Sequence, residues 1–177
     1  SITTFCLIPA VREATTLPLI AAGGIGTGEG ILAAMVLGAE GVQMGTRFAL
    51  TEESSASPVF KDYCLSLGEG DTKLLLKKLA PTRLVKNGFR YAVEKAEDNG
   101  ASPEELRMLL GKGRAKKGMF EGDLEEGELE IGQVSSIISR RQSVAEVMSE
   151  LIEAYRQAVG KKYLFGYSDE HNLQIKG

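Results

Sequence analysis

The sequence lacks the residues from which several kinds of site are built. It has one histidine, no tryptophan and only two cysteines in 177 residues. The cysteines, Cys6 and Cys64, are too far apart for a CxxC pair, so neither a zinc site nor a disulfide framework is expected. We expect both to be buried thiols of a protein in the reducing cytoplasm.

Long apolar runs are also absent. The least charged stretch, residues 17–28, is short and rich in glycine, so neither a membrane span nor a signal peptide is predicted. The net charge of -3 is spread along the chain, which gives no electrostatic reason to expect nucleic acid as a partner. The basic residues that lie nearest together are interpreted as solvated surface: Lys112, Arg114, Lys116 and Lys117.

The first fifty residues alternate between helical and extended patterns. Residues 5–14 read as an amphipathic helix, and the apolar run from Leu19 to Ala22 reads as a strand buried on both faces. A helix follows Gly28 and ends at Gly38, and residues 41–44 form a second strand. This order is typical of βαβ units, so an α/β fold with a parallel sheet is predicted.

The strand signals stop after Phe48, and the rest of the chain up to residue 160 reads as mainly helical. Two strands cannot close a sheet, so either the helical remainder wraps the pair as an unusual small fold or further strands lie outside this sequence. Residues 161–177 show no period. The predicted helices begin at Ser57-Pro58, at Leu84 (continuing to Ala96), at the Ser102 capping box and at the Ser143 capping box.

Two glycine loops follow the two predicted strands. Gly23-Gly24-Ile25-Gly26 follows the first strand, and Gly45-Thr46 follows the second. Either loop alone is more readily explained as a tight turn. Together, on neighbouring parallel strands, they indicate a phosphate site, because glycine lets backbone N–H groups approach an anion and Thr46 adds a hydroxyl. The dinucleotide motif GxGxxG fails, since Glu29 stands where its last glycine should be.

Residues 17–48, LPLIAAGGIGTGEGILAAMVLGAEGVQMGTRF, closely resemble a segment shared by nitronate monooxygenases and flavin-dependent enoyl-acyl-carrier-protein reductases. The resemblance continues through residues 52–54, 81–87, 122–127 and 132–133. It implies the C-terminal part of a (β/α)8 TIM barrel. Residues 1–50 would supply its last two strands, residues 51–160 a mainly helical segment packed on the barrel, and residues 161–177 a tail.

The resemblance also implies a cofactor, FMN, and residues that hold its phosphate. Thr46 is the strongest single candidate, as a hydroxyl and backbone donor. Gly122, Gly132 and Gln133 resemble a family segment near the flavin, where either cofactor contact or interdomain packing is expected. The implied phosphate-binding residues are Ala22, Gly23, Gly24, Gln43, Met44, Gly45 and Thr46.

No catalytic residue is assigned within this chain. The family's catalytic histidine lies before the matched segment, and His171 falls outside the match, so no catalytic role is expected for it. Because the chain opens without methionine inside a helical pattern, we expect it to be a piece of a longer protein. No metal-ligand cluster is recognisable.

Three functions follow from these observations. The first is FMN-dependent oxidation of small alkyl nitronates with O2. The second is reduction of enoyl thioesters with NAD(P)H, which the sequence hardly separates from the first. The third, of another class, is a non-catalytic fragment or helical interaction module. A small-molecule substrate and a homodimer are expected, with no membrane or nucleic-acid partner.

Overall fold

The computed structural model describes residues 2–161, which form seven α-helices and four short strands. None of the helices in this range is long and apolar enough to cross a bilayer. A π-helical turn spans Lys116–Phe120, and a 3-10 helix spans Gln133–Ile137. The helices are α1 (Thr4–Ala14), α2 (Gly28–Val36), α3 (Thr46–Ala49), α4 (Pro58–Leu65), α5 (Gly88–Asp98), α6 (Pro103–Leu110) and α7 (Val144–Gly160). The strands are β1 (Ile20–Ala22), β2 (Gly41–Gln43), β3 (Thr72–Leu75) and β4 (Thr82–Val85).

Strands β1 and β2 pair in parallel, with α2 as the crossover, as the sequence pattern predicts. Ala21 is buried between this pair and the helices α1 and α2. The prediction that the first strand is buried on both faces is wrong within the described residues, because Ile20 is 56% exposed. Ile20 and Ala22 project to the opposite face from Ala21, since side chains alternate along a strand, and both are exposed.

Strands β3 and β4 form an antiparallel hairpin that the sequence pattern did not predict. Leu84 and Val85 were predicted to begin a helix, but they are buried residues of β4, and α5 starts only at Gly88. The apolar run of the strand continues into the apolar face of the helix, so hydrophobicity alone gave no boundary. The segment after residue 50 is therefore not purely helical.

The serine residues predicted to begin helices do so. The hydroxyl oxygens of Ser57, Ser102 and Ser143 each accept a hydrogen bond from the N–H group three residues later, at 3.2 Å. The last two also form complete capping boxes with a glutamate. These signals are reliable because both partners lie within one turn of the chain.

The two cysteines differ in their surroundings. Cys64 is fully buried in the core between α4 and residues 129–138, and burial raises its pKa to about 12. Cys6 is exposed, so the prediction that both thiols are buried is wrong for this residue. It lies on α1, where Ile8 is the buried residue, and its own position on this helix faces solvent.

Asn87 joins the hairpin, helix α5 and the segment that follows the π-helical turn. Its Oδ1 accepts a hydrogen bond from the Arg90 N–H at 2.8 Å and so caps α5. Its Nδ2 donates to the carbonyl oxygens of Leu124, at 3.0 Å, and Gly127, at 2.8 Å. The side chain is buried, so these three hydrogen bonds satisfy groups that water does not reach.

Replacing Asn87 with alanine should lower the free energy of unfolding by about 2–4 kcal/mol, because a helix cap and two buried hydrogen bonds are lost together. Equilibrium urea denaturation measures this change. Asn99→Ala is the matched control, since Asn99 is exposed at the other end of α5. Equal losses in the two variants would contradict the role assigned to Asn87.

Glu128 is a buried acidic residue, only 8% exposed. Burial, and then the neighbouring Glu130, raise its pKa above the ordinary value of 4.5. The folded state therefore holds this proton at pH values where the unfolded chain has lost it. Consequently, this group makes the protein less stable as the pH rises through that window.

Replacing Glu128 with glutamine should therefore stabilise the protein at pH 7 by roughly 1 kcal/mol, the scale of a buried polar group that lacks full solvation. The gain should shrink toward pH 4, where the carboxyl is protonated in both states. Urea denaturation of both proteins across this range checks the result, with the exposed Glu69→Gln as control. A gain that does not depend on pH would contradict the electrostatic explanation.

Candidate functional site

The two predicted glycine loops lie side by side. Ala22 is directly opposite Gln43 in the parallel register, so both chains leave the same edge of the pair, about 4.8 Å apart. Gly23 and Gly24 have φ angles of 91° and 76°, a conformation that favours glycine. A Cβ atom at Gly23 or Gly45 would meet nothing within 4 Å, so space remains for a ligand at both loops.

Other glycines in this region are required by close packing. A Cβ atom at Gly26 would overlap Val134 Cγ1, and one at Gly28 would lie 2.7 Å from the Cβ of Ala154. The first loop and the start of α2 therefore lie against the 3-10 helix and against α7. These contacts leave the first loop little room to change its path.

Thr46 sits at the start of α3 and is half-buried. Its Oγ1 accepts a hydrogen bond from the Gly132 N–H at 3.0 Å, and a Cβ atom at Gly132 would approach this oxygen to 2.6 Å. The hydroxyl proton remains available to a ligand. Because α3 has only four residues, its dipole is small, and the donors that matter are the hydroxyl and nearby N–H groups.

The remaining predicted residues divide into two groups. Ala22, Gly24 and Gln43 are exposed on the open side of the strand pair or at the start of its first loop. Met44 projects the other way and lines an apolar cavity between α2, β2 and α7. Its backbone lies at the second loop, but its side chain belongs to the opposite face.

The segment around residues 122–133 contributes in two ways. Gly122 packs on Ser57 and Val59. A Cβ atom added at Gly122 would lie 3.3 Å from Ser57 Oγ and 3.4 Å from Val59 Cβ, which favours a packing role over ligand contact. Gly132 touches Thr46 directly, and Gln133 is exposed at the start of the 3-10 helix. Only the later half of this segment therefore adjoins the second glycine loop.

A cavity of about 390 Å3 opens beside the second glycine loop. Sequence reasoning did not select five residues of its wall: Ala49, Arg83, Met119, Glu130 and Ile131. Arg83 lies within residues 81–87, which are part of the family resemblance. That resemblance was the sequence feature that could have pointed to Arg83 as a site residue. The full lining is Gly45, Thr46, Ala49, Arg83, Met119, Glu130, Ile131 and Gly132.

The charged groups of this cavity are partly withdrawn from water. Burial raises the pKa of Glu130, and Arg83 Nη1 donates to Thr72 Oγ1 at 3.2 Å. The lining of this cavity includes glycine backbone, a hydroxyl and a guanidinium, which are groups that bind an anion such as phosphate. Within residues 2–161, no cluster of three His, Cys, Asp or Glu residues suits a metal ion.

The larger cavity, of about 540 Å3, lies on the other face of β2. Its wall is almost wholly apolar, with Arg156 as its charged member, so it offers little for phosphate binding. Its lining is Ile31, Met35, Val42, Met44, Phe48, Met148, Leu151, Ile152, Tyr155 and Arg156.

Comparisons with known proteins agree with the sequence resemblance. A family profile described as nitronate monooxygenase matches residues 2–154. A probable nitronate monooxygenase of Staphylococcus aureus is 35% identical over 167 residues, which cover 90% of this chain but 44% of that protein. The chain thus spans less than half the length of this curated relative.

Two solved structures share the fold of this chain. FabK from Thermotoga maritima superposes with a TM-score of 0.83 and 34% identity, covering 90% of this chain and 50% of that one. A nitroalkane oxidase from Streptomyces ansochromogenes gives a TM-score of 0.72 and 29% identity, covering 89% of this chain and 45% of that one. The chain belongs to the nitronate monooxygenase family, which includes FabK-like proteins.

Proposed function

We propose that the protein containing this chain is an FMN-dependent oxidoreductase that oxidises alkyl nitronates with O2. The observation that carries the proposal is the pair of glycine loops at one edge of the parallel strands, with the Thr46 hydroxyl between the second loop and Gly132. Family membership supports the flavin and the reaction class. The proposal includes a (β/α)8 barrel in which β1 and β2 are the last two strands.

In this proposal the loops hold the phosphate of FMN. N–H groups at Gly23, Gly24 and Gly45, together with the Thr46 hydroxyl, would donate to its oxygens. Ala22, Gln43 and the backbone of Met44 would line the approach from the strand ends. Bound FMN would supply the electron-transfer chemistry, while these residues bind and orient the cofactor.

The geometry fits a phosphate better than an uncharged ligand. Gly23 and Gly45 are open to solvent, and the Thr46 Oγ1 is oriented by the Gly132 N–H. A donor that is oriented before binding loses little entropy when the anion arrives. No base for the reaction is assigned in residues 2–161, and His171 lies outside the described residues.

A second candidate function is enoyl-thioester reduction with NAD(P)H. It stays open because the stretch from Gly122 to Gln133 is similar in both branches of the family and hardly separates them. A third candidate, a non-catalytic fragment or interaction module, predicts no retention of FMN. A homodimer, a cytoplasmic location and residues 51–160 as a separate segment on the barrel also stay predictions.

Replacing Thr46 with valine should weaken FMN binding about tenfold, because one phosphate donor is lost, while riboflavin binding stays within about twofold. Quenching of flavin fluorescence on titration of the full-length gene product measures both constants. Thr46→Ser keeps the hydroxyl and is the matched control. Equal weakening of FMN and riboflavin by Thr46→Val would show that the residue acts elsewhere than at the phosphate.

The FMN-loaded full-length protein should consume O2 when propionate 3-nitronate is added. An oxygen electrode measures the rate, and a flavin absorbance spectrum confirms that the cofactor is bound. Normal flavin content without oxygen uptake would rule out nitronate oxidation. Oxidation of NAD(P)H that depends on an enoyl thioester would then support the reductase.

A further inference from the structure

Arg47 directly follows Thr46 and is almost entirely buried, with 6% exposure. Its Nη2 donates to Glu150 Oε1 at 2.6 Å and to Gln142 Oε1 at 3.1 Å. Gln142 Nε2 in turn donates to Glu150 Oε2 at 2.8 Å. Arg47 and two side chains that follow it by about a hundred positions thus form a closed polar ring beside the second glycine loop.

The ring holds the buried guanidinium of Arg47, which has one acidic partner to balance its charge within the described residues. Arg47 Nε is buried and has no hydrogen-bond partner among residues 2–161. Glu150 is the one carboxylate that forms an ion pair with Arg47 there, and its side chain is half exposed. Arg140 approaches Glu150 only to 4.0 Å. Removing Glu150 would therefore leave the Arg47 guanidinium without a counter-charge.

The first turns of helix α7, which carries Glu150, are also tied to the chain after α3. The Val144 N–H donates to the Glu53 carboxylate at 2.9 Å. The Glu52 N–H donates to the Gln142 carbonyl oxygen at 3.0 Å. These two hydrogen bonds fix the start of α7 relative to the chain after α3. They therefore help to fix where Glu150 lies relative to Arg47.

One turn later, the same helix reaches the start of α2, just after the first glycine loop. Ala154 follows Glu150 by four residues, so both lie on the same face of α7. Ala154 Cβ lies 2.7 Å from the ideal Cβ position of Gly28, at the start of α2. One face of α7 therefore contacts both helices that begin after the glycine loops.

We propose that Arg47 is a positioning residue for the phosphate site. Through Glu150 and Gln142 it anchors α3 to α7, and this holds the Thr46 hydroxyl and the Gly45 backbone in line with the first loop. Arg47 is turned toward Gln142 and Glu150, so the proposed role requires no contact between Arg47 and the phosphate. The inference rests on the proposed function, because it concerns the binding of FMN at these loops.

A purely structural ion pair and a positioning ion pair differ in one measurable quantity. Loss of a structural pair lowers stability but affects FMN and riboflavin binding alike. Loss of a positioning pair weakens FMN more than riboflavin, because only FMN carries the phosphate. The ratio of the two dissociation constants is therefore the deciding readout.

The test compares Arg47→Met, Arg47→Lys and Glu150→Gln in the full-length gene product by fluorescence titration with FMN and with riboflavin. Arg47→Met should weaken FMN binding about tenfold, with riboflavin changed less than about twofold. Arg47→Lys should give an intermediate loss of FMN affinity. The lysine ammonium keeps the positive charge but lacks the planar guanidinium that donates to both Gln142 and Glu150. Glu150→Gln should also be intermediate, because an amide oxygen still accepts from Arg47.

Arg90→Met is the matched control. Arg90 also has a buried Nε without a partner and an ion pair with a glutamate, Glu94, at 3.4 Å, but it lies on α5. This variant should leave the ratio of FMN to riboflavin affinity unchanged, even if its melting temperature falls. Melting temperatures of all variants separate loss of folding from loss of cofactor discrimination.

An unchanged affinity ratio in Glu150→Gln and Arg47→Lys, in a wild-type protein that prefers FMN, would overturn the positioning role and leave the proposed function intact. These two variants also decide the question if Arg47→Met does not fold. If the wild-type protein bound FMN and riboflavin equally, the phosphate site itself would be wrong and this inference would fall with it.

Discussion

The candidate site depends first on the parallel pairing of β1 with β2. Parallel neighbours cannot be joined by a tight turn, so the chain crosses over through α2 and both strands end at the same edge. Each strand has only three residues, so few ladder hydrogen bonds hold the pair. Close packing of small residues supplies the rest, through Ala21, Ala34 and Ala39 in one buried cluster.

The paths of the glycine loops are then set by contacts from far along the chain. Val134 lies against Gly26, and Gly132 lies against Thr46. The backbone of α7 lies against Gly28. All three contacts come from residues beyond 130, so the shape of the loops is a long-range property. Glycine is required at Gly26, Gly28 and Gly132 because neighbouring chain segments leave no room for a side chain.

The sequence predicted those features whose causes are local. Helix starts at Ser57, Ser102 and Ser143 were correct because a cap and its partner lie three residues apart. The parallel βαβ order was predicted correctly because glycines mark the ends of both strands and of the helix between them. The exposure of Ile20 was not predictable, since it depends on which other segments cover that face of the strands.

The unpredicted hairpin matters for the site as well as for the fold. The Val85 N–H donates to the Leu129 carbonyl at 2.9 Å, and Glu130 bridges to Leu84. Strand β4 thus places residues 129–131 alongside itself and brings Arg83 and Glu130 to the wall of one cavity. A periodicity search cannot find this arrangement, because the two segments are separated by two helices and by the π-helical turn.

The acidic wall of that cavity is compatible with an anion because of the surroundings of Glu130. Burial raises the pKa of this carboxyl, so its neutral form persists to higher pH than in a solvated glutamate. A neutral carboxyl repels a nearby phosphate less than a carboxylate does. An anion bound at Gly45 and Thr46 would raise this pKa further. In the proposed site, Glu130 would therefore oppose phosphate least when its carboxyl is protonated, so anion binding at the loop and protonation of Glu130 would favour each other.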